Sequence, residues 1–416
     1  MSMVTRRSIV QGMVAGGTLL TLAPGFAVAM TGGERRFVFI FLRGAMDGLS
    51  AVPAYGEPRF KALRGELADG SPGEGTPFDA LKLDGLFALN PDLPTLHKLY
   101  GAGELTVVHA ACHGYRDRSH FDAQDAFDRG TVDKSFRDGW LNRALAYLPP
   151  RKEGDLAMAI GPTPPLSMRG DVAIASWVPA EGEGLDPDTI VRLAELYRPD
   201  ADLGPNFEKG FKAEAMGRAM ADGGKDELTS AQARGFIKQA RAAAGFLRDP
   251  AGPRVVTIDF GNWDSHASQN VRFMPGQQSA GGYQGRFAEL YIALDRGIAA
   301  LKEGLGSEWA NTAVMVITEF GRTVRINGNR GTDHGTGGAG FLLGGAVAGG
   351  RIIADWPGLG EGKLFEDRDL LTTTDLRALC KGVLREHLSI ADGALETIFP
   401  DSRAVKPLEG LIRRRA

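Results

Sequence analysis

The chain has 416 residues, with 48 Lys and Arg against 51 Asp and Glu, a formal net charge of −3. Acids and bases are interspersed, which excludes the basic face a nucleic-acid-binding domain needs; the one base run, Arg413-Arg414-Arg415, reads as a chain end. A content of 43% hydrophobic and 24% charged residues is that of an ordinary globular protein, and Cys112 and Cys380 alone exclude a cysteine-built zinc site.

Residues 1–29 read as a separate unit. Thr5-Arg6-Arg7-Ser8-Ile9-Val10 sets paired arginines before a stretch, Gln11 to Ala29, without acid or base. It ends in Ala27-Val28-Ala29, the small-x-small pattern a signal peptidase accepts. Paired arginines before a mildly apolar, Gly-rich core resemble a twin-arginine signal, which serves proteins that fold before crossing. The expectation is export to the periplasm or cell exterior by the twin-arginine machinery, with membrane contact only through this segment. The two cysteines fit either a disulfide or two buried thiols.

Beyond the signal, strands and helices alternate. Phe37-Val38-Phe39-Ile40-Phe41-Leu42 is an unbroken apolar run, as a strand covered on both faces requires. The Gly/Pro-rich stretch from Gly70 to Pro77 predicts a surface loop. A helix is expected over Asp92–Tyr100, a strand over Leu105–Ala110, and a helix over Ser119–Asp128 with Ser119 as N-cap. Further strands are expected at Ala157–Ile160, Val172–Ser176, Val255–Phe260, Ala313–Thr318 and Phe341–Leu343. Helices are expected at Thr189–Tyr197, Ser230–Leu247, Gly285–Leu301 and Thr374–His387. The alternation implies an α/β fold, a mostly parallel sheet with helices on both faces. Residues 30–416 then form a single domain, and the helix-rich span of about 151–250 reads as a cap inserted over the sheet.

Open α/β sheets bind ligands at the carboxyl ends of their strands. Asp47 follows the first strand, Asp264 and His266 follow Val255–Phe260, and Glu319 follows Ala313–Thr318, with Asp333-His334 shortly after. Each is also what an ordinary turn or a salt bridge, such as Glu319 with Arg322, employs. Carboxylate oxygen and imidazole nitrogen on loops at one sheet edge are nonetheless what a divalent cation needs, whether Zn, Ca, Mn or Mg. The glycines of Gly335 to Gly340 lead into an apolar strand rather than a helix, which argues against a phosphate cradle.

The segments FLRGAMDGL, YRDRSHFDAQD, GNWDSH, ITEFGRT, NRGTDHGTGG and FLLGGAVAGGRI together resemble the DUF1501 family of exported bacterial proteins, within the alkaline phosphatase and sulfatase superfamily. The resemblance implies an alkaline-phosphatase-like three-layer α/β/α sandwich. It also implies a metal-dependent hydrolase of phosphate or sulfate esters, acting on a small-molecule or polymer substrate. Carried onto this chain, it makes Asp47, Asp264, His266, Glu319, Asp333 and His334 metal ligands and Ser119 a nucleophile at a helix N-terminus. Arg118, with Arg116, would hold the substrate's charged oxygens, and His120 would assist protonation. Phe320 departs from the pattern, standing where most superfamily members have a ligating histidine, which puts a second metal in doubt. The alternative is a non-catalytic exported binding or assembly protein that retains the fold.

Overall fold

The computed structural model describes residues 35–414 apart from 69, 77, 151–154, 180–185, 202, 222–227 and 270–285. The export signal expected over 1–29 lies outside the described residues. The chain enters with β1 (Arg36–Leu42), then α1 (Gly48–Ala51), α2 (Phe60–Arg64) and a short hairpin of β2 (Leu81–Lys82) and β3 (Ala88–Leu89). Next come α3 (Pro94–Gly101), β4 (Leu105–Cys112), α4 (His120–Arg129), α5 (Trp140–Leu145), β5 (Ala157–Ile160) and β6 (Ala175–Trp177). The helices α6 (Pro187–Tyr197), α7 (Leu203–Ala221) and α8 (Ala231–Arg248) precede β7 (Val255–Phe260) and α9 (Arg286–Leu305). The chain closes with β8 (Thr312–Thr318), β9 (Gly338–Leu343), β10 (Arg351–Ile353), β11 (Thr374–Asp375), α10 (Leu376–Glu386) and α11 (Asp392–Ile398).

Nine strands form one sheet in the order β10-β4-β9-β8-β1-β7-β5-β6, with β11 also on β4. Only β9 runs against its neighbours; every other pairing in this sheet among the described residues is parallel. The strand at the centre shows why the run is apolar throughout. Val38, Ile40 and Leu42 pack into one core with α3, α8 and α9, while Phe37, Phe39 and Phe41 pack into another with α4, α5, α10 and α11. Period-two alternation thus feeds two buried faces, and three α/β/α layers result.

The span 151–250 holds more than a cap. Its β5 and β6 form one margin of the main sheet, and α8 buries Phe236, Ile237 and Phe246 in the core shared with α9. Both cysteines are buried and free, so the disulfide does not form. No helix among the described residues is long and apolar enough to cross a membrane.

Candidate metal centre

Five adjacent strands, β4-β9-β8-β1-β7, bring the chemistry to one edge. Because β9 is reversed, the loop entering it at residues 331–337 lies at the same edge as the loops leaving β1, β4, β7 and β8. His120 is the first residue of α4, His266 lies six residues past β7, and His334 lies in the loop before β9.

The imidazoles are each held by one nitrogen. Nδ1 of His120 is 2.7 Å from Glu319 Oε1, Nδ1 of His266 is 3.1 Å from Asp333 Oδ1, and Nδ1 of His334 is 3.0 Å from the Arg118 carbonyl oxygen. Carbonyls and ionised carboxylates only accept, so each Nδ1 donates, and the lone pair of each neutral ring falls on Nε2. Those lone pairs meet. His334 Nε2 is 3.0 Å from His120 Nε2 and 3.1 Å from His266 Nε2. Asp264 Oδ1 lies 3.0, 3.3 and 3.5 Å from the Nε2 atoms of His266, His334 and His120.

Four electron-rich atoms so placed repel unless a positive charge lies among them. Ligands at about 2.0 Å around a tetrahedral cation stand roughly 3.3 Å apart, close to the separations within His120, Asp264 and His334 and to those of His266 from Asp264 and His334. The donor set therefore fits a metal ion, with His120, Asp264 and His334 as a candidate ligand group and His266 beside them. Hydrogen bonds from the far ring nitrogens to carboxylate or carbonyl groups are what orient ligating histidines.

Charge supports the arrangement. Burial works against ionisation of Asp264, but the Arg322 guanidinium bonded to it outweighs that and holds its carboxyl down to about 2. Burial pushes His334 below the usual imidazole range, which keeps its ring neutral. Glu319 is fully buried, yet bonds from His120 and Gln124 overcome that burial and lower its carboxyl. Side-chain exposure rises from 16% at His120 and 28% at His334 to 42% at Asp264 and 44% at His266, so the cluster opens to solvent on that side.

The expected residues divide into two layers. Asp264, His266 and His334 converge as proposed ligands, and His120, expected to assist protonation, stands with them. Glu319 and Asp333 do not join the inner set, because their oxygens serve the imidazole N–H groups. Glu319 Oε1 also accepts from Gly44 N and Gln124 Nε2, both at 2.8 Å, and Asp333 Oδ1 accepts from Asn327 Nδ2 at 3.2 Å. Asp47 is apart from the cluster. Its buried carboxylate caps α1, pairs with Arg64, and accepts from Ser50 Oγ at 2.9 Å and Gln269 Nε2 at 2.6 Å.

Arg118 is a second departure. Its guanidinium is clamped on Asp369 (2.8 Å) and Glu366 (2.5 Å) instead of reaching toward the imidazoles. Its contribution is its backbone: a φ of +59° turns its carbonyl onto His334 Nδ1. Arg116 likewise binds backbone oxygens, those of His113 and Tyr115. Ser119 caps α4 by accepting from Asp122 N, as expected. Phe320 packs its ring 4.8 Å from that of His120 and 5.6 Å from that of His334, forming an apolar inner wall. Sequence reasoning did not place His120 among the candidate ligands and missed Arg322 as the partner of Asp264. The available signal was position, since His120 follows an N-cap serine just beyond a strand end.

The family described as "Protein of unknown function (DUF1501)" matches residues 115–398. No curated protein matches the chain. Among solved structures, a putative sulfatase from Bacteroides thetaiotaomicron is similar at 10% identity over 91% of this chain and 76% of that one, with a TM-score of 0.37. The phosphonate monoester hydrolase of Agrobacterium radiobacter is similar at 10% identity, over 86% and 74%, with a TM-score of 0.35. The zinc complex of the C-terminal periplasmic domain of EcEptC from Escherichia coli is similar at 10% identity, over 75% and 73%, with a TM-score of 0.32.

Proposed function

The chain belongs to the DUF1501 family, and on that footing we propose that it is an exported, metal-dependent hydrolase of phosphate or sulfate esters with one cation per chain. The observation that supports this reading is the meeting of three imidazole Nε2 atoms and Asp264 Oδ1, with every Nδ1 anchored behind them. Three nitrogens and one oxygen suit zinc; calcium and magnesium favour oxygen alone. A divalent cation held there supplies Lewis acidity toward an ester oxygen and toward a water.

The chain's own residues do the rest. Glu319 and Asp333 keep His120 and His266 in the Nδ1–H tautomer, and Arg322 keeps Asp264 ionised. Phe320 excludes water from the inner side, while the exposed side at Asp264 and His266 admits the ester. Ser119 stays with its helix as a cap, so a water is the attacking group. Residues 1–29 act as the twin-arginine signal, and residues 30–416 work outside the cytoplasm as one alkaline-phosphatase-like domain.

A second reading, a non-catalytic binding protein, draws on the sealing of Asp47 by Arg64 and on Phe320, neither of which offers a ligand for a second ion. Hydrolysis of aryl phosphates and aryl sulfates by zinc-loaded protein separates the two. Turnover that chelation abolishes, zinc restores and His334→Ala removes is the expected result. Zinc-loaded protein inert toward both ester classes favours the binder.

A further inference from the structure

We propose that Asp47 is a positioning residue: through Gln269 and Thr332 it sets Arg322, and Arg322 in turn sets Asp264 at the cluster. The inference rests on the metal-site reading above and gives a role to the one expected ligand that the fold keeps away from the imidazoles. Asp47 Oδ2 accepts from Gln269 Nε2 at 2.6 Å, Gln269 Oε1 accepts from Thr332 Oγ1 at 2.6 Å, and Thr332 Oγ1 accepts from Arg322 Nε at 3.1 Å. Arg322 Nη1 then donates to Asp264 Oδ1 at 2.8 Å.

Each link fixes the next. The carboxylate of Asp47 can only accept, so it turns the NH2 group of Gln269 toward itself and the amide oxygen toward Thr332. The Thr332 hydrogen is thereby committed to Gln269, and its oxygen is left to accept from Arg322. All donors point the same way, from Arg322 to Asp47, an alignment in which successive bonds polarise and strengthen one another. The guanidinium plane is pinned on its remaining side by Nη2, which donates to the carbonyls of Ser265 and Thr332, both at 2.6 Å. With Nε and Nη2 so held, Nη1 has one direction left, and Asp264 stands in it. Asp47, Gln269, Thr332 and Arg322 are all buried, at 1% exposure or less, whereas Asp264 reaches the open site. Arg64 completes the device by balancing the charge of Asp47.

The test uses Thr332, because removing a buried charge at Asp47 or Arg322 endangers the fold. Thr332→Val keeps shape and deletes the hydroxyl, and Thr332→Ser restores it. In the full-length protein, zinc competition titration should show about tenfold weaker binding for Thr332→Val and binding within about twofold of the parent for Thr332→Ser. In metal-free protein, the imidazole 15N resonances of His266 and His334, which flank Asp264, should move in Thr332→Val and stay in Thr332→Ser. Where the parent binds zinc, equal behaviour of the two variants in the titration overturns the relay, and unmoved resonances in Thr332→Val overturn it in every case. A parent protein that binds no zinc overturns the metal-site reading alone, since the resonances test the relay without any cation.

Discussion

An imidazole can offer a cation one nitrogen only when a hydrogen-bond partner decides which nitrogen carries the proton. Here Glu319 makes that choice for His120 and is itself held by three donors on one oxygen. Glu319→Gln, which removes the charge and keeps the shape, should weaken zinc binding about tenfold in competition titration; unchanged affinity would show that the tautomer is set elsewhere. Arg64 works on a different scale of energy, since it neutralises a carboxylate with no access to water. Arg64→Met should cost about 3–5 kcal/mol in denaturant unfolding, because breaking a buried pair strands the other charge. These two residues also mark what was legible. An acid at a strand end looks the same in sequence whether it faces the imidazole Nε2 atoms, as Asp264 does, or a ring N–H, as Glu319 and Asp333 do. The partner of Asp47 sits in a stretch with no motif, 17 residues on, and only tertiary packing reveals it.

At the level of elements, the interior strands and the β5-β6 margin were legible, and the short β10 and β11 beside β4 were not. Arg36–Leu42, Val255–Phe260 and Thr312–Thr318 are buried along nearly their whole length, so dense apolar and β-branched sequence marks them within a residue. The strands β10 and β11 have three and two residues and only intermediate or mixed burial, too short for any period to show. Helix α7 was missed because its apolar and polar residues are not segregated to faces and it carries three glycine or proline positions in its first eight residues. Helix α4 was read correctly from its cap, and that cap carries His120. Ser119→Ala should cost about 1 kcal/mol of stability by thermal or denaturant unfolding and leave zinc uptake intact. If it instead abolishes ester turnover with uptake unchanged, the hydroxyl is the nucleophile and the water-attack account fails. The glycine of the ITEFGRT segment is equally local in its reason: a Cβ on Gly321 would stand 1.9 Å from the Gly337 carbonyl oxygen, where two site loops cross.

Over the whole molecule, pH acts through groups the sequence did not single out. His109 and His113 are fully buried, and burial lowers both to about 4. His109 is satisfied as a neutral ring, bonded to the Val52 carbonyl at 3.0 Å and accepting from Ala110 N at 2.7 Å. Folded values below the unfolded value of about 6.5 mean that the unfolded chain takes up protons first, so this stability is present above pH 6.5 and is lost as pH falls toward 4. Asp128 opposes them. Burial raises it to about 6 despite Arg43, so its contribution is complete below about pH 4 and disappears as pH rises through 6. Each group is worth about 3 kcal/mol, and two histidines against one aspartate leave a net loss of about 3 kcal/mol on acidification from 6.5 to 4. Thermal midpoints of metal-free protein across that range should fall accordingly; a flat profile would contradict the burial of these rings.

Elemental analysis of the full chain, purified without chelators, bears most directly on the claim that three imidazoles and Asp264 hold one cation. The expected content is about one zinc per chain, falling to background in His120→Ala and His334→Ala variants that remain folded. Protein that stays metal-free after exposure to zinc, or variants as zinc-rich as the parent, would contradict it.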